Sequence, residues 1–433
     1  MPETSSTTSY KNKCTTAADA VSTIKSGDKI FIHANASNPF ALVDALVERA
    51  PQLKDVDVFQ LLSLGDAKHA EEKYRDSFRV QSLFIGHNTR EAVNSGRGDY
   101  IPVFMSEIPE LFNSKTIDLD VAVIQVAPPD KNGNCSLGLA VEATLAAAMN
   151  ARYVIAEVNE QMPRTLGNCM VPLDKINKII ETNRPIPELI SRPSTDIDKA
   201  IAQNIATLVE DQSTVQLGIG SIPNAVIGFL KNKKDLGIHT EMFSDGLLEL
   251  IEAGVVTNKY KTVLPDKIAV SFVLGTKRVY DFVHENESVE FHPCDYINDP
   301  YIISQNRKMV AINSAIEVDL TGQVAADCIG SKLYSGFGGQ VDFMRGTARS
   351  KGGKPIIALP STAKNGSISK IVANLTTGAG VVTGRADVHY VITEYGIAQL
   401  HGKSLRERAK ALIEIAHPKF RADLERSTFK VGS

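Results

Sequence analysis

The 433-residue sequence lacks the features of a membrane protein and of a nucleic-acid-binding protein. None of its apolar runs approaches the roughly 20 residues that a membrane-spanning helix needs. Lysine and arginine number 47 against 50 aspartate and glutamate, so no basic field is available for nucleic acid or an anionic membrane. The polar start MPETSSTTSYKNKC has neither the apolar core of a secretory signal nor the arginines of a transit peptide. These absences predict a cytoplasmic protein.

Cysteine is scarce and scattered. The five cysteines, at positions 14, 135, 169, 294 and 328, show neither a CxxC metal spacing nor a disulfide framework, so we expect free thiols and no metal centre. The signatures GxGxxG, GxxxxGK[ST], HExxH and GxSxG are also missing. No local motif therefore supports a metallohydrolase or a serine hydrolase.

Short β-branched runs alternate with helical patterns along the chain, which predicts an α/β fold with parallel strands. Examples are DKIFIHA, VAVIQVA and RYVIAEV in the first half and TVQLGIG, IHTEMF and PIIALPS in the second. We predict two domains, residues 1–190 and 191–433, divided in the Pro-rich stretch RPIPELISRP, after which a helix begins at Ser194 or Thr195. IFIHANASNPFALVDAL and VQLGIGSIPNAVIGFL share the order strand, small-residue loop, proline and helix, which suggests two halves of similar architecture.

Two glycine-rich stretches are candidate ligand loops. Gly218 and Gly220 in LGIGSIPNAV stand between a strand and an apolar helix, where the first N–H groups of the helix are available to an anion. Gly336, Gly338 and Gly339 in SGFGGQVDFMRG leave a backbone without Cβ atoms that can surround a ligand. The alternatives are an ordinary strand–helix turn for the first stretch and a bulged hairpin for the second.

A polar loop, LPSTAKNGSISKIV, offers a third candidate. Lys364 or Lys370 could hold an anionic ligand there as a point charge, and a solvated surface loop is the alternative. Further on, the stretch VITEYG contains a possible acid, Glu394. Each of these features is compatible with a surface role when it is considered alone.

Glu241 in HTEMFSDG is the sharpest candidate for chemistry. A carboxylate beside Met242 and Phe243 at the end of an apolar strand would be partly desolvated, which raises its basicity and suits a covalent nucleophile. The alternative is a buried acid that caps the next helix or pairs with lysine or arginine, and these residues alone favour that structural role. Ser244 and Asp245 are expected to cap a helix beginning at Leu247.

Taken in order, five stretches resemble the acetyl-CoA hydrolase/transferase family of CoA-transferases over essentially the whole chain: GIGSIPNAV, HTEMFSDG, INSAIEVDLTGQV, GFGGQVDF and VITEYGIAQLHGKSLRERAKALIEIAHPKFRADL. They look most like its branch of 4-hydroxybutyrate and butyryl-CoA:acetate CoA-transferases. The resemblance implies two open α/β domains with the active site in the cleft between them. It also implies coenzyme A as a substrate, no further cofactor, no metal, and a homodimer or homotetramer.

The resemblance further implies roles for individual residues. Glu241 matches the family's nucleophile, which takes up the acyl group as an anhydride and then CoA as a glutamyl thioester, before a second acid reverses the steps. Met242 and Phe243 are expected to keep water from these intermediates. The residues expected to stabilise the oxyanions and line the CoA site are Gly218, Ile219, Gly220, Ser221, Ile222, Asn313, Gly338, Gly339 and Lys364.

Three functions follow from these patterns. A CoA-transferase would move CoA between a short-chain acyl-CoA and a free acid such as 4-hydroxybutyrate, butyrate or acetate. An acyl-CoA hydrolase would instead let water resolve the intermediate, and a non-catalytic CoA- or nucleotide-binding regulator would have no need of Glu241. The sequence does not rank the acyl groups. Candidates for the acyl pocket in the first domain are Ser37, Asn38, Gln60, Gly86 and His87.

Overall fold

The computed structural model describes residues 10–218 and 220–428. Within these residues the chain forms two compact units. The first extends to Leu189 and includes Ala269–Ile297, whereas the second comprises Ile190–Ile268 and the residues from Asn298 onward. Ala269–Ile297 lies with the first unit by its contacts, although our boundary at residue 190 assigned it to the second domain. Val141 N donates to Ser271 O, and Asn168 N donates to Phe291 O.

The predicted mixed α/β fold is confirmed. The α-helices are α1 (Ala17–Val21), α2 (Phe40–Glu48), α3 (Arg90–Asn94), α4 (Ile108–Asn113), α5 (Thr144–Asn150), α6 (Asp196–Leu208), α7 (Ser221–Leu230), α8 (Asp245–Glu252), α9 (Lys277–Val283), α10 (Cys294–Ile297), α11 (Pro300–Gln305), α12 (Gln340–Arg349), α13 (Leu405–Glu414) and α14 (Pro418–Thr428). Short 3-10 helices occupy Ala50–Gln52, Lys68–Ala70, Glu72–Tyr74, Met105–Glu107 and Leu173–Lys175.

The strands of the main sheets are β1 (Lys29–Ile32), β2 (Val56–Gln60), β3 (Phe78–Ser82), β4 (Gly98–Tyr100), β5 (Val121–Val126), β7 (Tyr153–Asn159), β9 (Lys178–Thr182), β10 (Thr214–Leu217), β11 (Gly237–Phe243), β12 (Ile268–Val273), β13 (Val289–Phe291), β14 (Met309–Ser314), β19 (Lys354–Ala358), β23 (Tyr390–Thr393) and β24 (Gly396–Gln399). Shorter strands are β6 (Asn134–Ser136), β8 (Met170–Pro172), β15 (Glu317–Asp319), β16 (Val324–Ala325), β17 (Cys328–Ile329), β18 (Lys332–Leu333), β20 (Thr362–Ala363), β21 (Ile368–Ser369) and β22 (Ile371–Val372).

A parallel sheet organises the first unit, in the order β4-β3-β2-β1-β5-β7-β9. Every residue of its interior strand β5 is buried, which is the pattern of a parallel strand covered on both faces. Apolar side chains of α1, α2 and strands β1, β2 and β5 form a hydrophobic cluster in this unit. The sequence YIPVFM, which we predicted as a strand, is strand only at Tyr100.

Six strands of the second unit follow one another in a sheet in the order β11-β10-β14-β19-β23-β24, and they are parallel except for β24 at the edge. After β10 the chain adds β11 on one side and β14 on the other. In open parallel sheets, ligands bind beyond the carboxyl ends of the strands at such a reversal. Glu241 near the end of β11, the loop after β10 and Asn313 near the end of β14 all lie at this edge.

The helix that we predicted after the Pro-rich stretch is α6. Thr195 is its N-cap: the Thr195 hydroxyl accepts from Asp198 N at 3.2 Å, and Asp198 Oδ2 accepts from Thr195 N at 2.9 Å. This reciprocal capping box satisfies two donors at the helix start. All five cysteines are free, as expected. Across residues 10–218 and 220–428, no helix is both long enough and apolar enough to cross a membrane.

Candidate active site

Glu241 lies on β11 and is partly buried, whereas its neighbours along the strand are buried. Side chains alternate between the faces of a strand, so His239, Glu241 and Phe243 share one face. On that face the His239 ring packs edge-on against Phe343 of α12, with ring centroids 6.2 Å apart. Phe243 is fully buried on the same side as Glu241, whereas Met242 is buried on the opposite face. Of the two predicted shielding residues, only Phe243 is therefore placed on the side of the carboxylate.

The Glu241 carboxylate is held by an amide. Asn298 Nδ2 donates a hydrogen bond to Glu241 Oε2 across 2.6 Å, and the Asn298 side chain is fully buried. Burial raises the pKa of Glu241 to about 7, although the Asn298 hydrogen bond acts in the opposite direction by stabilising the anion. Near neutral pH this carboxylate is consequently a stronger base than a solvated glutamate.

Gly339 contacts the same two side chains. A Cβ atom added at Gly339 would overlap Glu241 Oε2 and Asn298 Nδ2, so a side chain at this position would have to displace both groups. Gly339 is also the N-cap of α12, and the preceding Gly338 has a φ of 53°, in the left-handed region that favours glycine. The α12 N-terminus, the positive end of its dipole, therefore begins against the carboxylate. The structure thus brings the second predicted glycine loop to Glu241.

The loop after β10 has a different character. Gly218 N donates to Ile312 O at 3.2 Å and so extends the pairing with β14. Gly220 has a φ of 129°, which an L side chain rarely adopts, and a Cβ atom there would meet nothing within 4 Å. Its backbone hence faces open space at the start of α7. Ser221 and Ile222 form the first turn of α7, with the Ile222 side chain buried.

The residue between these glycines, Ile219, lies outside the described residues. The loop is nevertheless tied to the strand that carries Glu241. Thr240 Oγ1 donates to Leu217 O at 3.4 Å, from β11 to the last residue of β10.

Asn313 lies at the carboxyl end of β14. Its Nδ2 donates to Gln216 Oε1 at 3.3 Å, and the same oxygen accepts Ile312 N at 3.2 Å. Gln216 therefore fixes Asn313 at the edge of the sheet on which the β10 loop lies. Sequence reasoning did not single out Gln216, because a glutamine inside a strand carries no motif.

The two lysines of the polar loop are placed differently. Lys364 is exposed in the turn between β20 and β21 and has a φ of 47°. Lys370 Nζ donates to Ala315 O at 3.0 Å, one residue beyond β14, and burial lowers the Lys370 pKa to about 8. Glu394 accepts both the backbone N–H and the hydroxyl of Ser361, at 2.9 and 2.6 Å. Glu394 thereby anchors the start of this loop.

Two further expectations concern the surroundings. Helix α8 begins at Asp245, not at Leu247 as predicted, with Ser244 at the N-cap position; within the described chain the Ser244 side chain makes no capping hydrogen bond. In the first unit, the suggested acyl-pocket residues Asn38 and Gln60 are buried. Asn38 is hydrogen-bonded to Ser63, and Gln60 is hydrogen-bonded to His69. His87, by contrast, is exposed.

Sequence reasoning missed Asn298. The residues Asp299 and Pro300 that follow it are a helix-start signal, and Asp299 Oδ1 indeed accepts Tyr301 N at the start of α11. That signal locates a turn without revealing which side chain reaches Glu241, which lies 57 residues earlier in the sequence.

Comparisons with known proteins show which family the chain belongs to. The model of the acetyl-CoA hydrolase/transferase N-terminal domain matches residues 2–190, and that of the C-terminal domain matches residues 275–428. The chain is 51% identical to 4-hydroxybutyrate coenzyme A transferase of Clostridium kluyveri, over 96% of this chain and 97% of the relative. An acetyl-CoA hydrolase of Yarrowia lipolytica is more distant, at 28% identity over 78% of this chain and 72% of that protein.

Solved structures show the same fold over nearly the whole chain. A 4-hydroxybutyrate CoA-transferase from Porphyromonas gingivalis is 41% identical and superposes with a TM-score of 0.84, covering 98% of each chain. RipA from Yersinia pestis is 34% identical, with a TM-score of 0.93 over 99% of this chain and 100% of RipA. The chain belongs to the acetyl-CoA hydrolase/transferase family, and it is a CoA-transferase.

Proposed function

We propose that Glu241 is the nucleophile through which this CoA-transferase moves CoA between a short-chain acyl-CoA and a free carboxylate. The observation that carries the proposal is the setting of the carboxylate, because Glu241 Oε2 lies between the Asn298 amide and the Gly339 backbone at the start of α12. Such an environment can stabilise charge that develops during acyl transfer. A pKa near 7 leaves much of the carboxylate ionised, and thus nucleophilic, at neutral pH.

In the first half-reaction, a Glu241 oxygen attacks the thioester carbonyl of the acyl-CoA. The C–S bond breaks, CoA leaves as the thiolate, and an acyl-glutamyl anhydride remains. The thiolate sulfur then bonds to Glu241 Cδ, and the bond from Cδ to the bridging oxygen breaks. The original acyl group departs as a carboxylate, leaving a glutamyl-CoA thioester on the enzyme. A second carboxylate runs the same steps backward, so the cycle is ping-pong.

Each attack passes through a tetrahedral oxyanion, which requires hydrogen-bond donors aimed at it. Two helix N-termini in the second unit suit this role. One is the start of α12 at Gly338 and Gly339, which contacts Glu241, and the other is the start of α7 after Gly220, which faces open space. We assign the first to the glutamyl carbonyl, and the second, with Asn313, to the CoA side of the site.

The proposed acids are short: 4-hydroxybutyrate, butyrate or acetate. The first is in the names of the Clostridium kluyveri and Porphyromonas gingivalis relatives. A transferase must keep water from the anhydride and the thioester. The buried Phe243 on the face of Glu241 suits that requirement.

Mass spectrometry tests the proposal directly. The protein is incubated with butyryl-CoA alone, quenched and digested, and the peptide containing Glu241 is examined for a CoA adduct that hydroxylamine removes. We expect the adduct at Glu241 and its loss when acetate is added, with acetyl-CoA appearing as the product. An adduct on another residue would refute the assignment of Glu241. Free CoA accumulating without acetyl-CoA would identify a hydrolase instead.

A further inference from the structure

The glycine loop that approaches Glu241 needs an anchor outside its glycines. Gly336, Gly338 and Gly339 have no side chains, and glycine is the residue with the greatest backbone freedom. A Cβ atom added at Gly339 would overlap Glu241 Oε2, so the Gly339 backbone lies directly against the carboxylate. The close approach therefore depends on whatever fixes the chain next to Gly339.

Gln340, the first residue of α12, supplies such an anchor. Its side chain is buried, its Nε2 donates to Ser314 O at 2.7 Å, and its Oε1 accepts from the Thr383 hydroxyl at 2.9 Å. Thr383 is itself fully buried, and its carbonyl accepts Val324 N of β16 at 3.1 Å. Both ends of the Gln340 amide are thus bonded to structure outside the glycine loop and outside α12.

The place of Gln340 in the sequence makes this anchor effective. Gln340 directly follows Gly339, so a displacement of Gln340 is transmitted to the backbone that lies against Glu241. On the other side of the loop, Ser335 Oγ donates to Ala326 O at 3.1 Å. Three residues separate Ser335 from Gly339, and two of them are glycines. The Ser335 contact therefore holds the Gly339 backbone less directly than Gln340 does.

We propose that Gln340 is a positioning residue, which holds the start of α12 at the distance from Glu241 that the transfer reaction needs. The inference rests on the proposed function. In the two proposed steps at Glu241 Cδ, negative charge forms on the glutamyl carbonyl oxygen, to which we assigned the α12 N-terminus. Donors stabilise an oxyanion only within hydrogen-bond distance, so a displacement of about 1 Å should slow these steps. Gln340 acts on them through Gly339.

Two variants loosen the anchor to different degrees. Gln340→Met keeps the volume of the side chain and removes both of its hydrogen bonds. Thr383→Val keeps the shape of the threonine and removes only the hydroxyl that Gln340 Oε1 accepts. A contact that acts by positioning should therefore give the same kind of defect in both variants, with the smaller defect in Thr383→Val.

The test measures the glutamyl thioester on Glu241. Wild-type protein and both variants are loaded with butyryl-CoA, freed of small molecules, mixed with acetate and quenched at intervals for mass spectrometry. We expect the rate constant for acetate-dependent loss of the thioester to fall by about 10-fold or more in Gln340→Met and by about threefold in Thr383→Val. The rate constant refers to molecules that carry the thioester, so unfolded protein does not change it. Thr383→Val decides the question if Gln340→Met does not fold.

The opposite end of α12 supplies a matched control. Ser350, the C-cap of α12, is buried, and its hydroxyl donates to Asn306 O at 2.5 Å and accepts Met309 N at 3.2 Å. Ser350→Ala should lower the melting temperature and leave the rate constant within about twofold of the wild-type value, because this end of the helix is remote from Gly339.

Two results would overturn this inference alone. One is a wild-type rate constant in both Gln340→Met and Thr383→Val, with the thioester present on Glu241. The other is an equal slowing in Ser350→Ala, which would show that any loosening of α12 has the same effect. A wild-type protein that forms no thioester on Glu241 would overturn the proposed function together with the inference.

Discussion

The two units contain similar strand–loop–helix segments whose loops differ in how they are filled. In the first unit, β1 leads to α2 through a loop whose polar side chains are buried and bonded. His33 Nδ1 accepts Gln125 N and its Nε2 donates to Ala140 O, while burial lowers the His33 pKa to about 4 and keeps the ring neutral. In the second unit, β10 leads to α7 through a loop in which Gly220 faces open space. Where the first loop is filled by its own side chains, the second leaves room for a ligand.

The buried carboxylates of the two units differ in the same way. Glu157 on β7 accepts hydrogen bonds from Ala41 N at 2.9 Å and from the Thr182 hydroxyl at 3.1 Å, and so supports the start of α2. Burial raises the pKa of Glu157 as it does that of Glu241, but these hydrogen bonds oppose the shift. Glu241 Oε2 accepts a hydrogen bond from the side-chain amide of Asn298. Burial alone therefore does not distinguish these two carboxylates; Glu157 accepts hydrogen bonds on both oxygens, whereas Glu241 accepts the Asn298 amide on Oε2.

The largest expected effect comes from neutralising these two carboxylates in turn. Glu241→Gln should reduce CoA exchange by at least about 1000-fold, because the amide cannot form the anhydride. Glu157→Gln should lower the free energy of unfolding by about 1–3 kcal/mol through its lost hydrogen bonds, with exchange largely retained. Steady-state exchange assays and denaturant unfolding measure both. Equal losses of exchange in the two variants would erase the distinction between the units.

A methyl group at Gly339 should produce the second largest effect. In Gly339→Ala the new Cβ would displace Glu241 Oε2 and Asn298 Nδ2, so we expect kcat to fall by about 100-fold. Gly228 in α7 is the matched control, since a Cβ atom there meets nothing within 4 Å. Gly228→Ala should raise the free energy of unfolding by about 0.5–1 kcal/mol and leave kcat unchanged. An active Gly339→Ala enzyme would show that the close approach at α12 is not required for exchange.

The pH dependence of stability gives a third, intermediate effect. The Glu241 pKa of about 7 in the folded protein exceeds the value of about 4.3 in an unfolded chain, so between these values the folded state binds more protons. The stability contributed by the protonated form is therefore lost as the pH rises through this window. Relative to Glu241→Gln, the wild-type free energy of unfolding should fall by on the order of 3 kcal/mol between about pH 4 and pH 8. A difference that stays constant with pH would contradict the shifted pKa.

The smallest effect is expected at Lys364. Its position in an exposed turn limits it to a screened attraction for the phosphates of CoA. Lys364→Ala should raise the KM for acyl-CoA a few-fold at low salt, with kcat unchanged and the effect shrinking at about 0.5 M salt. If the KM does not change at either salt concentration, the assignment of Lys364 to the CoA site is wrong. Lys370, which is bonded beside the end of β14, would then be the better candidate.

Much of the second unit could be predicted from the sequence. Strand segments such as TVQLGIG and IHTEMF, the two glycine loops and Glu241 all lie in short contiguous stretches, whose local chemistry limits what they can form. Asn298 and Gln216 could not be found in that way. Each acts through a contact with a residue distant in the chain, and asparagine or glutamine has no spacing rule that points to such a partner. The assignment of Ala269–Ile297 to the first unit was missed for the same reason, because it depends on contacts with residues distant in the chain.

That assignment has a consequence for any attempt to divide the protein. The second unit is not one continuous segment: its chain leaves after Ile268 and resumes at Asn298. The first residue after the return is thus the one whose amide holds the glutamate. A fragment spanning residues 191–433 would contain Glu241, Asn298 and Gly339, yet the 29 residues from Ala269 to Ile297 would have lost hydrogen bonds such as those from Val141 N and Asn168 N. Expressed alone, the half that contains the candidate active site would join Asn298 to a segment that lacks part of its hydrogen bonding.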